Sequence, residues 1–205
     1  MIKTIFTILL IVCCAINSLA QTQISTNSQI GFSDEEYKFW AENWCSTDAY
    51  LDDVNLKVIQ IETLPMTVSL EKERNFIPKI RDYYAKAKFT DTTTDLIQDF
   101  NAKNDKSYLL ERKFAGCKNY VLVTKTDVSD IFKNSKDGWK DFNVKYPKSG
   151  GFERFSRIGF SPDKKQAVIF LSYSCGWLCA SGDFYFFVKE EGEWIEKVKQ
   201  NVWVS

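Results

Sequence analysis

The chain has no histidine. That absence closes Ser-His-Asp and Cys-His catalysis, histidine-ligated zinc and haem, and the usual general base near neutral pH. Any catalysis must rest on carboxylates, Lys, Arg, Tyr, Ser or Cys. Net charge is also missing, with 27 basic residues against 27 acidic ones. A chain so balanced has no long-range field to draw in nucleic acid or anionic lipid. Beyond the first 20 residues there is no long apolar run, so no membrane-spanning helix is expected there. Phosphate-cradling glycine motifs are absent too. Gly150-Gly151 and the Gly176/Gly182 pair lack the strand–loop–helix layout such motifs require. No Asn-x-Ser/Thr acceptor for glycosylation occurs.

The N-terminus is what is most plainly present. Lys3 precedes an apolar run from Ile5 to Ile16, followed by Ser18-Leu19-Ala20. This order reads as a secretory signal cleaved after Ala20. The run is too short to span a bilayer, which takes roughly 20 residues. Val12 before Cys13 is a poor fit to a lipoprotein signal. Losing Lys3 takes the basic count from 27 to 26 against 27 acidic residues. The expected organisation is a signal at 1–20, a flexible leader at 21–31 and one globular domain at 32–205. The expected location is secreted or periplasmic.

Cys13 and Cys14 leave with the signal, so four cysteines remain: Cys45, Cys117, Cys175 and Cys179. An even count in an exported chain favours disulfides. Three pairings are open, and sequence proximity favours Cys175–Cys179 with Cys45–Cys117. Zinc is disfavoured, because a lone Cys-x-x-x-Cys and two scattered cysteines make a poor ligand set. No metal or cofactor is expected.

Ser33 and Glu36 form a capping box, and Phe32 and Tyr37 a hydrophobic staple, at the start of a helix. Tyr37, Trp40, Ala41, Trp44 and Cys45 then share one face, read as core. Leu56–Ile61 alternates as a strand ended by Pro65, and Met66–Leu70 is a candidate short strand. Asn75–Phe89 reads as helix. A further helix capped by Thr92–Thr94 runs through Phe100, and 101–107 reads as a turn. Tyr120–Thr124 is a strand, and a short helix begins at Thr126 and breaks at Gly138. Trp139 to Tyr146 reads as an aromatic segment. Phe155–Phe160, Gln166–Tyr173, Asp183–Lys189 and Glu193–Val204 read as four strands with short links, hence antiparallel neighbours. The expected fold is α+β, with N-terminal helices packed on one face of a C-terminal antiparallel meander.

The densest unusual segment is Ser172–Gly182, read as a loop between two strands. Tyr173, Ser174, Gly176, Trp177, Ser181 and Gly182 there are the candidate contact residues. The simplest reading is a hairpin closed by Cys175–Cys179, with Trp177 covering the core. A redox role is weighed against it, but thiol oxidoreductases carry Cys-x-x-Cys at a helix N-terminus, not Cys-x-x-x-Cys between strands. Asp127, Asp130 and Glu153 are candidate acid–base carboxylates, set against plain surface charge.

The run Phe155-Ser-Arg-Ile-Gly-Phe160, Ala167-Val-Ile-Phe, Cys175-Gly-Trp-Leu-Cys-Ala-Ser-Gly, Gly192-Glu-Trp194 and Val202-Trp-Val-Ser205 resembles a group of uncharacterised exported bacterial proteins. Trp139, Phe142 and Tyr146-Pro147 resemble part of the same pattern, and Ser-Leu-Ala-Gln resembles Bacteroidetes signal ends. Ala180 stands where the group often has glycine. The resemblance implies a bacterial envelope or extracellular protein and carries no activity. The expected function is therefore a non-enzymatic exported binding or interaction protein, for a protein or small-molecule ligand. The alternatives are an envelope hydrolase using carboxylates or Ser with Lys, and a thiol–disulfide protein using Cys175 and Cys179.

Overall fold

Ser33 starts the first helix as expected. In this computed structural model, which describes residues 31–45, 56–69, 76–87 and 90–205, the Glu36 backbone N–H donates to Ser33 Oγ at 3.3 Å. The Ser33 N–H in turn donates to Glu36 Oε2 at 2.8 Å. Helix α1 then runs Asp34–Trp44. The staple is closed, with the Phe32 and Tyr37 rings 5.3 Å apart. The aromatic stripe of α1 is core: Trp40 lies flat on Phe155 at 4.2 Å, and Trp44 meets the same ring edge-on at 4.9 Å. The expected signal (1–20) and all of the expected leader (21–31) but Gly31 lie outside the described residues.

The remaining elements follow in order: β1 (Lys57–Gln60), α2 (Phe76–Ala87), α3 (Thr93–Lys103), β2 (Tyr120–Val123), α4 (Lys125–Lys133), α5 (Gly138–Lys145), β3 (Phe152–Phe155), β4 (Gly159–Phe160), β5 (Gln166–Gly176), β6 (Cys179–Glu190) and β7 (Glu193–Val204). Helices come before the strand-rich C-terminus, so the fold is α+β. The strands form one seven-stranded sheet in the order β2-β1-β3-β5-β6-β7, with β4 paired to β5. β5, β6 and β7 make the expected antiparallel meander. The sheet as a whole is mixed, because β1 lies parallel to both β2 and β3.

Helices cover both faces of the sheet, not one. Alternate residues of β5 point opposite ways. Ala167 and Ile169 pack with Phe39, Trp40 and Trp44 of α1. Val168 and Phe170 pack with Ile80, Leu96 and Phe100 of α2 and α3. That second face continues over β1–β3, where Val58, Val123 and Phe152 meet α4 and α5.

Several local expectations change for identifiable reasons. Phe155–Phe160 is not one strand. Arg157 N–H donates to Asn104 Oδ1 at 2.7 Å and Ile158 N–H to Glu36 Oε1 at 3.1 Å, so side chains take the hydrogen bonds a strand would need. Met66 to Ser69 is irregular, because Val68 exchanges both backbone bonds with the Asn101 side chain at 2.7 and 2.8 Å; Leu70 lies outside the described residues. Helix α3 continues to Lys103, whose ammonium reaches Asp99 one turn back at 2.6 Å. Thr92 is its N-cap residue but makes no side-chain cap bond; Asp91 Oδ1 accepts from Thr93 N–H at 2.9 Å. Helix α4 begins one residue earlier than Thr126, with Thr124 and Asp127 as a second capping box. Gly138 opens α5, since a Cβ there would stand 2.3 Å from the Phe132 ring. The segment read as merely aromatic is that helix, with Trp139 and Phe142 on its inner side.

Candidate contact surface at the disulfide hairpin

Ser172–Gly182 is not a loop. Pairing of β5 with β6 continues through Ser174↔Ala180 to Gly176↔Cys179, leaving only Trp177 and Leu178 as the turn. The four cysteines form two disulfides, Cys45–Cys117 and Cys175–Cys179, each with Cα atoms 5.1 Å apart. The first ties the end of α1 to the segment before β2. The second closes the hairpin directly behind its tip.

That tip is apolar and open to solvent. Trp177 is 68 % exposed and Leu178 90 % exposed, so Trp177 does not cover the core. Its indole meets Phe132 of α4 edge-on at 6.4 Å. Beside it a shallow groove of about 520 Å³ is lined by Asp137, Trp139, Lys140, Asn143, Val144 and Trp177. The end of β7 arrives at the same place: Val204 pairs with Ser181 and Trp203 with Gly182. Among the described residues, the large exposed apolar side chains are Val144, Trp177, Leu178, Ile195, Val202, Trp203 and Val204. All but Ile195 lie towards this end of the sheet, Trp177, Val144 and Trp203 on the face of α4 and α5 and Val204, beside Ser181, on the opposite face. Monomeric surfaces rarely collect apolar side chains in this way, and where they do the patch marks a contact site.

The candidate residues divide by what they touch. Trp177 faces outward, on a turn that begins at Gly176. Tyr173 is half-buried, and its hydroxyl donates to Gly150 C=O at 2.8 Å. Burial raises its pKa, helped by the Glu153 charge. Ser174 lies so close to Gly151 (φ 143°) that a Cβ on the glycine would fall 2.1 Å from the serine carbonyl oxygen. Gly182 leaves space filled by Trp203, whose indole nitrogen would be 2.2 Å from an added Cβ. Ser181 donates to Asp183 at 3.1 Å. Leu178, Val144 and Val202–Val204 are exposed here too but are not among the contact residues expected from the sequence; their placement in the fold reveals them.

The carboxylates singled out in the sequence are not brought together. Asp127 caps α4, and the Thr124 hydroxyl and backbone N–H hold its carboxyl below the ordinary range. Asp130 is exposed on the same helix. Glu153 pairs across β3 and β5 with Tyr173, on the opposite face of the sheet. The nearest approach to a Ser–Lys arrangement is at Asp183, which accepts from Ser181 and from Asn201 at 2.9 Å. Lys199 lies 3.7 Å from it. Burial works against the Lys199 ammonium, but the hydrogen bond with Tyr185 and the charges of Tyr185, Asp183 and Glu196 outweigh it and hold its pKa up. A serine-activating lysine must be neutral, so this one is poorly suited to the task. The Cys175–Cys179 pair sits on strands, without the helix N-terminus that lowers a thiolate pKa.

A larger cleft, of about 690 Å³, opens at the far end of the sheet between the β6–β7 turn and the α2–α3 link, with Asp163, Lys165 and Glu190 among its walls. Among the described residues no helix is long and apolar enough to cross a membrane, and no cluster of three or more His, Cys, Asp or Glu could hold a metal ion. No family model, curated protein or solved structure matches the chain.

Proposed function

We propose that the chain is an exported, non-enzymatic binding protein whose contact surface is the stapled hairpin tip Trp177–Leu178, with Val144 and Val202–Val204 around it. The observation that carries this reading is the gathering of exposed apolar side chains at one end of the sheet. Interfaces draw their affinity from such a cluster, and aromatic anchors contribute most. The Cys175–Cys179 bond supports the same reading. It closes a short ring behind the tip, so the turn needs little further ordering when it binds. Export rests on the signal-like residues 1–20 and on the two disulfides, which persist in oxidising compartments. The C-terminal likeness to exported bacterial proteins agrees with it.

Two measurements test the proposal. The intact mass of the protein recovered from the envelope or medium should correspond to a chain beginning at Gln21. The full protein and its Trp177→Ser/Leu178→Ser variant, matched in circular dichroism, are each used to recover partners from the envelope of the exporting cell. The proposal requires that partners held by the unaltered protein are lost by the variant. Equal recovery by both would remove the hairpin tip as the contact surface.

A further inference from the structure

On the sheet face covered by α2–α5, a polar strip divides two apolar clusters. Val58, Val123 and Phe152 pack with α4 and α5 on one side, and Val168 and Phe170 with α2 and α3 on the other. Between them Arg154 pairs with Ser172 across β3 and β5. Gln60 comes one residue after the Ile59↔Glu153 pair and so stands beside Arg154. Strand alternation puts all three side chains on this face. Gln60 is 3 % and Ser172 4 % exposed, and Arg154 is half-buried.

Two buried nitrogens of this strip, Arg154 Nε and Gln60 Nε2, have no hydrogen-bond partner among the described residues. Arg157, three residues away, shows the ordinary arrangement. Its guanidinium donates through Nε and Nη2 to the Glu36 carboxylate at 3.2 and 2.9 Å. Among the described residues no carboxylate accepts from Arg154 in this way. The acid whose charge reaches it, Glu62, accepts instead from the Lys125 backbone N–H at 2.8 Å. Burial pushes the Arg154 pKa below its ordinary value, and Glu62 offsets this only in part. A buried guanidinium Nε–H and a buried amide N–H without partners on neighbouring strand positions are costly, and both seek an acceptor.

We propose that the Gln60–Arg154–Ser172 strip binds a small oxyanion, a carboxylate or a phosphate group. The planar guanidinium matches the paired oxygens of either group. The Gln60 amide and the Ser172 hydroxyl add neutral donors, which hold an anion without further charge. The strip is separate from the hairpin tip and stands whether or not the tip binds a partner.

The test follows the Arg154 Nε–H resonance of the ¹⁵N-labelled full chain, disulfides intact. It is titrated with sodium phosphate, with sodium acetate, and with sodium chloride as the ionic-strength control. Phosphate or acetate should shift the resonance saturably and raise Tm over the same concentrations, while chloride does neither. Which of the two saturates identifies the group. Arg154→Met should weaken binding at least about tenfold, since it removes a charge-assisted contact. In chloride alone that variant should be at least as stable as the parent, because a half-buried charge and its unpartnered Nε–H are gone. Gln60→Leu should weaken binding less. If neither anion moves the resonance beyond chloride, the strip holds only water and the proposal is wrong. Should Arg154→Met fail to fold, the titration of the unaltered chain decides alone.

Discussion

Replacing Glu36 with alanine removes the acceptor for four N–H groups at once. The Glu36 side chain is fully buried. It accepts from Ser33 N–H at 2.8 Å, Arg157 Nε and Nη2 at 3.2 and 2.9 Å, and Ile158 N–H at 3.1 Å. It therefore ties the start of α1 to the segment between β3 and β4. Breaking a buried pair by deleting one partner costs about 3–5 kcal/mol, because the other charge is left behind. The Arg157 side chain is only 15 % exposed, so water recovers little of that loss. With a urea dependence of about 2 kcal/mol per molar, the unfolding midpoint should fall by about 2 M. Tryptophan fluorescence is the natural probe, since Trp40 and Trp44 lie on the same helix. Glu35→Ala is the control. Its partner Lys164, at 3.0 Å, is half exposed, so that change should cost under about 1 kcal/mol. Glu36→Gln keeps an acceptor oxygen and should fall between the two. If Glu36→Ala destabilises no more than Glu35→Ala, the reasoning about the buried pair is refuted.

Three further outcomes are expected. Burial raises the Tyr84 pKa to about 12. The folded state then keeps a proton that the unfolded chain loses near pH 10, so this stability is complete below pH 10 and is lost as pH rises towards 12. About 2–3 kcal/mol is at stake, and alkaline urea unfolding with and without Tyr84→Phe measures it. Disulfide removal should be unequal. The Cys45–Cys117 link spans 72 residues and Cys175–Cys179 spans 4; loop-closure entropy then gives about 4 kcal/mol for the first and about 2 kcal/mol for the second. Paired Cys→Ser variants in thermal unfolding would contradict this if the order reversed. Gly151→Ala should destabilise by more than the usual surface change, since φ is 143° and the Ser174 carbonyl occupies the space; a neutral effect in the same assay would mean β3 and β5 can part there freely.

What could be read from the sequence was local. The Ser33–Glu36 box, the Phe32–Tyr37 staple and the Trp40 stripe all depend on residues within one or two turns of each other. The β6–β7 link was equally plain: Glu191-Gly192 take positive φ of 51° and 95°, and a glycine suits such a turn. Long-range choices were not legible. Nothing near Leu56–Ile61 tells it to lie parallel to β2 and β3. The second role of Glu36, to receive a guanidinium 121 residues away, is invisible behind its first role as a cap. Helix α5 was within reach, since Trp139, Phe142 and Tyr146 recur at helical steps, but Gly138 reads as a break until Phe132 is seen occupying the place of its side chain. At the hairpin, cysteine and glycine suggested a loop, whereas the ladder continues to the turn. That extension drives Trp177 and Leu178 outward into solvent.

Hydroxyl-radical footprinting of the protein in the cells that make it, compared with the purified chain, tests the hairpin claim most directly. Trp177, Leu178 and Trp203 should be labelled in the purified protein and protected in the cells, while Ile195, exposed at the other end of the sheet, should label equally in both. Equal labelling of Trp177 in the two settings would show the tip bare where it functions and would contradict the account.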